Sequence, residues 1–380
     1  MTERANLYAT LGDFVVYRNL EPADQRLRDL TEIWPEIGLS SYRIPRKLEP
    51  DYATAVIHFL DQAQALRLPD RPLKRLLYIG DTVMNDGTAI ANLGQHRPIL
   101  GVICTERPGE EKKVNVNQGI MTANRWGALK DFVPFVAGEG FLFDEEMAAI
   151  IDLDKTAMGA RGRNDGAIDA ARVEAVRRTM AEVLGRQFDI KRFREIYDEL
   201  NQPPYHPFTA DNQDYLAYIC LMVGGGIYDD EALLTDLAAG HLSTFAQFVE
   251  ACAERLQDRA SSELLPVHQE VYTHFRRADP TPFKSFRYRE YEETVARMDS
   301  LPADTDPGTL LAEEIVITRE VVDLARFLRE RGVLLFGLSD KPDEASIPRA
   351  EWVGEGYAPI HRTRMKVVGE AIYEELGALT

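Results

Sequence analysis

The chain has 380 residues, of which 45% are hydrophobic and 28% charged, a composition typical of a globular protein with two or three domains. Its 44 Lys and Arg against 62 Asp and Glu give a net charge of −18, which repels nucleic acids and anionic membranes. We therefore expect no nucleic-acid or membrane partner, although a small phosphorylated molecule needs only a local positive site or a divalent cation.

Cysteine usage and the first residues predict a cytoplasmic protein. Cys104, Cys220 and Cys252 are few, odd in number and widely spaced, which is typical of a reducing compartment. The sequence begins without the basic and apolar segments of a signal peptide. Its longest uncharged apolar stretch, residues 215–228, is too short to span a bilayer.

Five short apolar runs, each followed by polar residues, predict buried strands of a parallel sheet. In chain order they are residues 14–17, 76–79, 99–104, 148–151 and 333–336. Helical periodicity at residues 52–68 and 319–331 places helices between these strands. The alternation predicts an α/β fold with a doubly wound, mostly parallel sheet.

Residues 161–307 differ, because helical periodicity dominates there and no buried strand is evident. Helices are predicted at residues 168–185, 189–200, 229–239, 243–259 and 286–299. Residues 301–308, rich in Pro and Asp, predict a linker back to the α/β part. We therefore expect a separate, mainly helical domain at residues 159–310, inserted between core segments 1–158 and 311–380.

Asp152 and Asp154 directly follow the predicted strand 148–151. In an extended chain two residues separated by one project to the same side. The carboxyl end of a parallel strand faces the crevice where α/β proteins bind ligands. One carboxylate can attack phosphorus while another protonates the leaving oxygen. The alternative is that these residues only cap the next segment.

Asp81 and Asp86 lie in a glycine-bounded loop, residues 80–87, after another predicted strand. Carboxylates that meet at neighbouring strand ends repel one another and raise their pKa values. A Mg²⁺ ion relieves this repulsion, since it prefers carboxylate oxygens together with water and phosphate. Alternatively, Asp86 caps a helix at residues 87–93.

Ser339 and Lys341 follow the predicted strand 333–336. A hydroxyl and an ammonium group at a strand end can bind phosphate oxygens. The alternative is a Ser cap beside a solvated Lys. Arg161, at the predicted entrance to the helical domain, is a further candidate for binding the anionic group of a substrate, with a solvated surface position as its alternative.

These three segments together resemble the motifs of the haloacid-dehalogenase-like (HAD) superfamily of phosphohydrolases. The matching positions are Asp152, Asp154 and Thr156 in the first motif (D-x-D-x-[TS]), Ser339 in the second, and Gly80, Asp81 and Asp86 in the fourth (G-D-x-x-x-x-D). The resemblance implies the fold predicted above, with a substrate-selecting cap between the first and second motifs.

The resemblance also implies roles for these residues. Asp152 would attack phosphorus and form an aspartyl-phosphate, with Asp154 as general acid and base. Ser339 would hydrogen-bond the phosphoryl group, which we also expect to be contacted by Thr156, Arg161 and Lys341. Mg²⁺ would be held by Asp152, by the backbone carbonyl of Asp154, and by Asp81 or Asp86. The second Asp of the first motif favours hydrolysis of a phosphate ester over a carbon–halogen bond.

The motif order departs from the family, because the acidic loop precedes Asp152. The order becomes regular if the chain is circularly permuted, with a helix at residues 364–376 followed in space by residues 14–17. Lys47 precedes the helix 52–68 and fits the family's third motif, an active-site Lys that offsets negative charge. Lys341 and Lys366 are the alternatives for this position.

The sequence thus predicts a Mg²⁺-dependent phosphomonoester hydrolase that acts on a small phosphorylated metabolite. Two alternatives stay open. One is a catalytically silent relative that only binds metal and phosphate, and the other is a phosphotransferase that uses an acceptor other than water. The substrate and the oligomeric state are left undetermined by the residues.

Overall fold

The computed structural model describes residues 3–257 and 263–378, which divide into two compact units. The first unit holds the described residues up to Ala170 and from Thr294 onward, and the second holds those within Ala171–Glu293. Both boundaries fall inside the range 159–310 that we predicted for the cap. Residues 159–170 and 294–310 therefore belong to the first unit.

All ten strands of the described residues lie in the first unit. They are β1 (Arg4–Ala5), β2 (Val15–Val16), β3 (Arg75–Gly80), β4 (Ile99–Cys104), β5 (Val114–Asn117), β6 (Ile120–Ala123), β7 (Met147–Asp152), β8 (Ile317–Thr318), β9 (Leu334–Leu338) and β10 (Met365–Val368). The five predicted strands correspond to β2, β3, β4, β7 and β9. The β5–β6 hairpin was not predicted, because every residue of β5 is exposed and no apolar run marks it.

Seven strands form the main sheet in the order β2-β9-β7-β3-β4-β6-β5. Neighbouring strands are parallel except for β5 and β6, which are antiparallel. The predicted α/β fold with a mostly parallel sheet is therefore confirmed. Ile79 of β3 pairs with Ile151 of β7, and Asp152 pairs with Leu338 of β9. This register brings the carboxyl ends of β3, β7 and β9 to the same level of the sheet.

The helices fall between and around these strands. They are α1 (Tyr8–Leu11), α2 (Leu30–Ile33), α3 (Pro50–Arg67), α4 (Asn85–Leu93), α5 (Leu129–Gly138), α6 (Asp165–Leu184), α7 (Ile190–Leu200), α8 (His206–Thr209), α9 (Gln213–Gly224), α10 (Asp230–Ala239), α11 (Phe245–Gln257), α12 (Leu265–Arg276), α13 (Lys284–Ala296), α14 (Pro307–Glu313), α15 (Arg319–Glu330), α16 (Ala350–Val353) and α17 (Tyr373–Ala378). Helix α14 includes the last two residues of the linker predicted at 301–308.

Helix α3 shows how the sequence builds the core of the first unit. Pro50 occupies its first turn, where a missing backbone N–H costs nothing. Tyr52, Val56 and Phe59 then recur at helical spacing and are buried in one cluster with Ile150 of β7. Burying each such side chain contributes about 1.5–3 kcal/mol, so the helix is fixed against the sheet by its apolar face.

The prediction of one helix at residues 364–376 is wrong. Met365–Val368 form β10, which pairs with β8 and with β1 in a small second sheet. β-Branched Val367 and Val368 favour a strand, and Gly369 has a φ of 143° that interrupts regular structure before α17. Since Arg4 pairs with Lys366, this sheet brings segments near the two ends of the sequence together.

The second unit contains helices and no strand among its described residues. Helices α9 and α12 were not predicted. Helix α9 is buried on all sides, from Leu216 to Val223, so it lacks the alternation of polar and apolar faces that marks a helix. Helix α11 corresponds to the helix predicted at 243–259, of which residues 258 and 259 lie outside the described ranges. Across those ranges every helix is too short or too polar to cross a lipid bilayer.

Candidate active site

Polar side chains converge where β3, β7 and β9 end. Asp152 is the last residue of β7, Asp81 follows β3, and Ser339 follows β9. Their exposed fractions are only 4%, 5% and 1%. The structure therefore brings the three predicted motif segments together at one edge of the sheet.

Three of the predicted carboxylates form what we call the acidic cluster: Asp81, Asp86 and Asp152. One carboxylate oxygen from each lies within 4.8 Å of the other two, and all three residues are buried. This is the arrangement expected of a site that can hold a metal ion. The side chain of Asp154, two residues beyond the end of β7, is not part of the cluster.

Asp86 is held by the loop that precedes it. Its Oδ2 accepts hydrogen bonds from the backbone amides of Asp81, at 2.9 Å, and Thr82, at 2.8 Å, and its Oδ1 accepts one from the Tyr78 hydroxyl at 3.0 Å. A Cβ on Gly80 would lie 2.5 Å from the Asp86 Cγ, so only glycine fits there. Asp86 lies in the first turn of α4 and does not cap a helix at residues 87–93.

Lys47 is buried against two members of the acidic cluster, Asp86 and Asp152. Its Nζ lies 2.6 Å from Asp152 Oδ1 and 2.5 Å from Asp86 Oδ1, although it is 105 residues from Asp152 in the sequence. It also stands 5.7 Å from the centre of the Tyr78 ring. The structure thus places the predicted active-site Lys against the predicted nucleophile.

The two alternative lysines have other environments. The Lys366 Nζ is buried against Glu314, at 2.7 and 2.8 Å, and donates to the Leu301 carbonyl. The buried Lys341 lies beside Ser339, whose Oγ accepts a hydrogen bond from the Lys341 backbone amide at 3.1 Å. Among the three lysines, Lys47 is the one with an ammonium group that pairs with the acidic cluster.

Thr156 orients the Asp152 carboxylate. Its Oγ1 donates a 3.0 Å hydrogen bond to Asp152 Oδ2, so Lys47 and Thr156 each hold one oxygen of Asp152. The Thr156 side chain is fully buried. We predicted Thr156 as a substrate contact, and the structure places its hydroxyl against the Asp152 carboxylate.

Asp154 is less tightly held than Asp152. Its Oδ1 is buried and has no hydrogen-bond partner among the described residues. The following residue, Lys155, has a φ of 65°, which costs free energy for a residue other than glycine. The Lys155 Nζ is fixed by Asp169 at 2.8 Å. A strained turn, held by the ion pair of Lys155 with Asp169, therefore directly follows Asp154.

Arg161 does not occupy a solvated surface position. Its Nε donates to Asp81 Oδ2, so it contacts the acidic cluster directly.

The Ser339 hydroxyl can still donate a hydrogen bond. The Ser339 backbone amide donates to the Val16 carbonyl at 3.0 Å, while the hydroxyl proton has no acceptor in the described parts of the chain.

Two residues that we did not predict also hold the loop of Asp81: the Thr105 hydroxyl donates to the Asp81 carbonyl, and the Tyr78 hydroxyl donates to Asp86. In the sequence, the only signal for either contact is the position of Tyr78, two residues before Gly80.

No family model, curated protein or solved structure matches the chain. The resemblance to the HAD superfamily therefore rests on the motif residues of the sequence.

The three carboxyl groups of the acidic cluster differ in their pKa values. Burial and the neighbouring carboxylates raise the pKa of Asp81 to about 8 against the opposing effect of Arg161. Burial also raises the pKa of Asp152 to about 7, although Lys47 opposes it. For Asp86 burial is outweighed by Lys47 and by backbone amides, which lower its pKa to about 2. Burial therefore favours the protonated forms of Asp81 and Asp152, while Lys47 and the backbone amides favour the charged form of Asp86.

We expect Mg²⁺ to stabilise the protein more as the pH rises. Asp81 and Asp152 have pKa values in the folded chain of about 8 and about 7, above the value of about 3.9 for an unfolded Asp. The folded chain thus binds more protons, so without metal its free energy of unfolding falls between about pH 4 and pH 8. Metal binding needs the deprotonated carboxylates.

Differential scanning calorimetry with and without Mg²⁺ across this pH range measures both trends. The Mg²⁺-induced increase in Tm should grow toward pH 8. An increase that is the same at every pH would contradict the assignment of Asp81 and Asp152 as metal ligands.

Proposed function

We propose that the chain is a Mg²⁺-dependent phosphomonoester hydrolase of the HAD-like type, which acts on a small phosphorylated molecule through an aspartyl-phosphate on Asp152. One observation carries the proposal: Asp81, Asp86 and Lys47 surround Asp152 at the ends of adjacent parallel strands. These residues come from segments far apart in the sequence. The pairing of β1 with β10, which places residues 4–5 beside residues 365–366, supports the permuted motif order.

The residues of the cluster fit a hard divalent cation, because all of the candidate ligand atoms are carboxylate oxygens. Within the described residues each oxygen of Asp86 already has two hydrogen-bonding partners, whereas each oxygen of Asp152 has one. Asp81 and Asp152, with the backbone carbonyl of Asp154, would therefore hold the ion. When bound, Mg²⁺ supplies positive charge that offsets the carboxylates and the phosphoryl oxygens. Asp86 would keep Lys47 and the loop in place.

The chain's own residues would carry out two displacements at phosphorus. An oxygen of Asp152 forms a bond to phosphorus while the bond to the leaving oxygen breaks, and Asp154 gives that oxygen its proton. Water then attacks the aspartyl-phosphate, its proton returns to Asp154, and phosphate leaves with Asp152 regenerated. Lys47 and Thr156 orient the nucleophile, and the Ser339 hydroxyl donates to a phosphoryl oxygen.

Replacing Asp154 by asparagine tests the acid–base step. The unpartnered Oδ1 of Asp154 is replaced by a group that cannot transfer a proton, so we expect turnover of a phosphomonoester to fall by about 10²–10⁴-fold. Mg²⁺ affinity should stay close to that of the wild type, since the backbone carbonyl is retained. Steady-state phosphate release and calorimetric titration measure the two quantities, and unchanged turnover would contradict the role.

Binding without turnover is the second candidate, because the same residues would hold Mg²⁺ and phosphate in a protein that does not catalyse the reaction. Such a protein would bind Mg²⁺ and inorganic phosphate but release no phosphate from any of a panel of phosphorylated metabolites. A phosphotransferase would release phosphate slowly and turn over faster when an acceptor alcohol is added. The panel, run with and without acceptors, separates the three activities.

A further inference from the structure

Arg161 is anchored through its backbone, while most of its guanidinium is free. Its amide donates to the Lys155 carbonyl at 2.8 Å, and its own carbonyl accepts from the Glu106 amide at 3.0 Å and from the Trp126 Nε1 at 3.2 Å. Its Nε donates to Asp81. Within the described ranges Nη1 and Nη2 have no hydrogen-bond partner, and the side chain is 31% exposed.

Two cationic side chains, Lys47 and Arg161, pair with different members of the acidic cluster. Lys47 pairs with Asp86 and Asp152, and Arg161 pairs with Asp81. No other side chain of the described residues donates a hydrogen bond to the Asp81 carboxylate. A divalent cation that used the same oxygens would meet the guanidinium of Arg161 first, because the two positive charges would compete for one carboxylate.

We propose that Arg161 is an exchangeable counter-ion, which neutralises Asp81 until a divalent cation binds there and then transfers its guanidinium to the anionic group of the substrate. The inference rests on the proposed function, since it takes Mg²⁺ as the second partner of Asp81. The anchored backbone lets the side chain turn without moving the loop. Two free terminal nitrogens suit a phosphoryl group, which guanidinium binds through paired hydrogen bonds.

This exchange couples two binding events. Mg²⁺ releases Arg161 for the phosphoryl group, and a phosphoryl group that holds Arg161 leaves Asp81 open to Mg²⁺. Each ligand must therefore increase the affinity for the other by the same factor. A substrate that arrives before Mg²⁺ would find Arg161 paired with Asp81, so it should bind more weakly than it does when Mg²⁺ is present.

Isothermal titration calorimetry with Mg²⁺ alone, and with inorganic phosphate in the presence of Mg²⁺, tests the exchange in the full chain. The titrations are run at about pH 9, where Asp81 is largely deprotonated. In R161Q the competing charge is lost, so Mg²⁺ affinity should rise about five-fold or more, while phosphate affinity should fall about ten-fold or more. R161K keeps the charge with fewer donors, so its Mg²⁺ affinity should stay near that of the wild type while phosphate binding weakens. R75Q removes an Arg–Asp pair with Asp144 at the opposite end of the sheet and should change neither.

The outcomes separate this inference from the proposed function. If R161Q binds Mg²⁺ with the affinity of the wild type, Arg161 does not compete with the metal and the inference fails. If Mg²⁺ affinity rises but phosphate affinity is unchanged, Arg161 is a simple counter-ion, and the transfer to the substrate is overturned. If the wild-type chain binds neither Mg²⁺ nor phosphate, the proposed function fails as well. Circular dichroism confirms that each variant is folded.

Discussion

Replacement of Asp152 by asparagine is expected to reduce Mg²⁺-dependent release of phosphate from an aryl phosphate by about 10⁴-fold or more. An amide is not a nucleophile toward phosphorus, so no aspartyl-phosphate can form. Asparagine has nearly the same size. Its carbonyl oxygen can still accept from Lys47, and its amide nitrogen can donate to the Thr156 hydroxyl, so the site keeps its shape. The steady-state rate at saturating Mg²⁺, measured beside the wild type, gives the size of the loss.

A matched control lies at the other end of the same strand. Asp144 precedes β7, pairs with Arg75 at 2.6 Å and is more exposed than Asp152. The substitution Asp144→Asn changes the same functional group outside the acidic cluster, and we expect it to leave turnover within about two-fold, as for surface changes of small free energy. Activity that survives Asp152→Asn, or that disappears equally in Asp144→Asn, would contradict the role of Asp152.

Replacing Lys47 by methionine is expected to have the second-largest effect. The change leaves Asp86 and Asp152 buried without their shared cation, and removing one partner of a buried ion pair costs about 3–5 kcal/mol. Turnover should also fall by at least about 10²-fold, because Lys47 orients the nucleophile and offsets the charge of the phosphoryl group. Urea unfolding measures the first quantity and phosphate release by the folded fraction measures the second.

Lys366 offers a control of the same residue type. It is also buried and also pairs with a carboxylate, that of Glu314, but its partners do not belong to the acidic cluster. Lys366→Met should lose a similar free energy of unfolding and retain the turnover of its folded fraction. Equal losses of turnover in both variants would show that Lys47 acts only through stability.

The main sheet and the meeting of the motif segments could be predicted from the sequence, because both follow from short-range patterns. Apolar runs identified β3, β7 and β9, and parallel strands must end on the same side of a sheet. That placed Asp81, Asp152 and Ser339 at one edge without any knowledge of contacts. Helix α9 was not predicted because it lacks such a pattern: it is buried on all sides, so polar and apolar residues do not alternate at helical spacing.

The ion pairs of the acidic cluster with Lys47 and Arg161 could not be predicted from such short-range patterns. Lys47 reaches Asp152 from an irregular segment between α2 and α3, and no periodicity fixes where such a segment runs. The sequence therefore left Lys47, Lys341 and Lys366 as alternatives. The pairing of Arg161 with Asp81 depends on a loop held by Lys155, Glu106 and Trp126, contacts that no local pattern indicates. Residues 364–376 were misassigned because the partners of β10 are distant in the sequence.

The covalent intermediate tests the account most directly. Hydride reduction converts an acyl phosphate to an alcohol, so protein quenched during turnover of an aryl phosphate and then reduced should carry homoserine in place of the phosphorylated aspartate. Asp154→Asn slows hydrolysis of the intermediate and should increase its yield. We expect peptide mass spectrometry to find homoserine at position 152, only when Mg²⁺ and substrate are both present. Release of phosphate with no residue converted, or conversion at a position other than Asp152, would contradict the proposed mechanism.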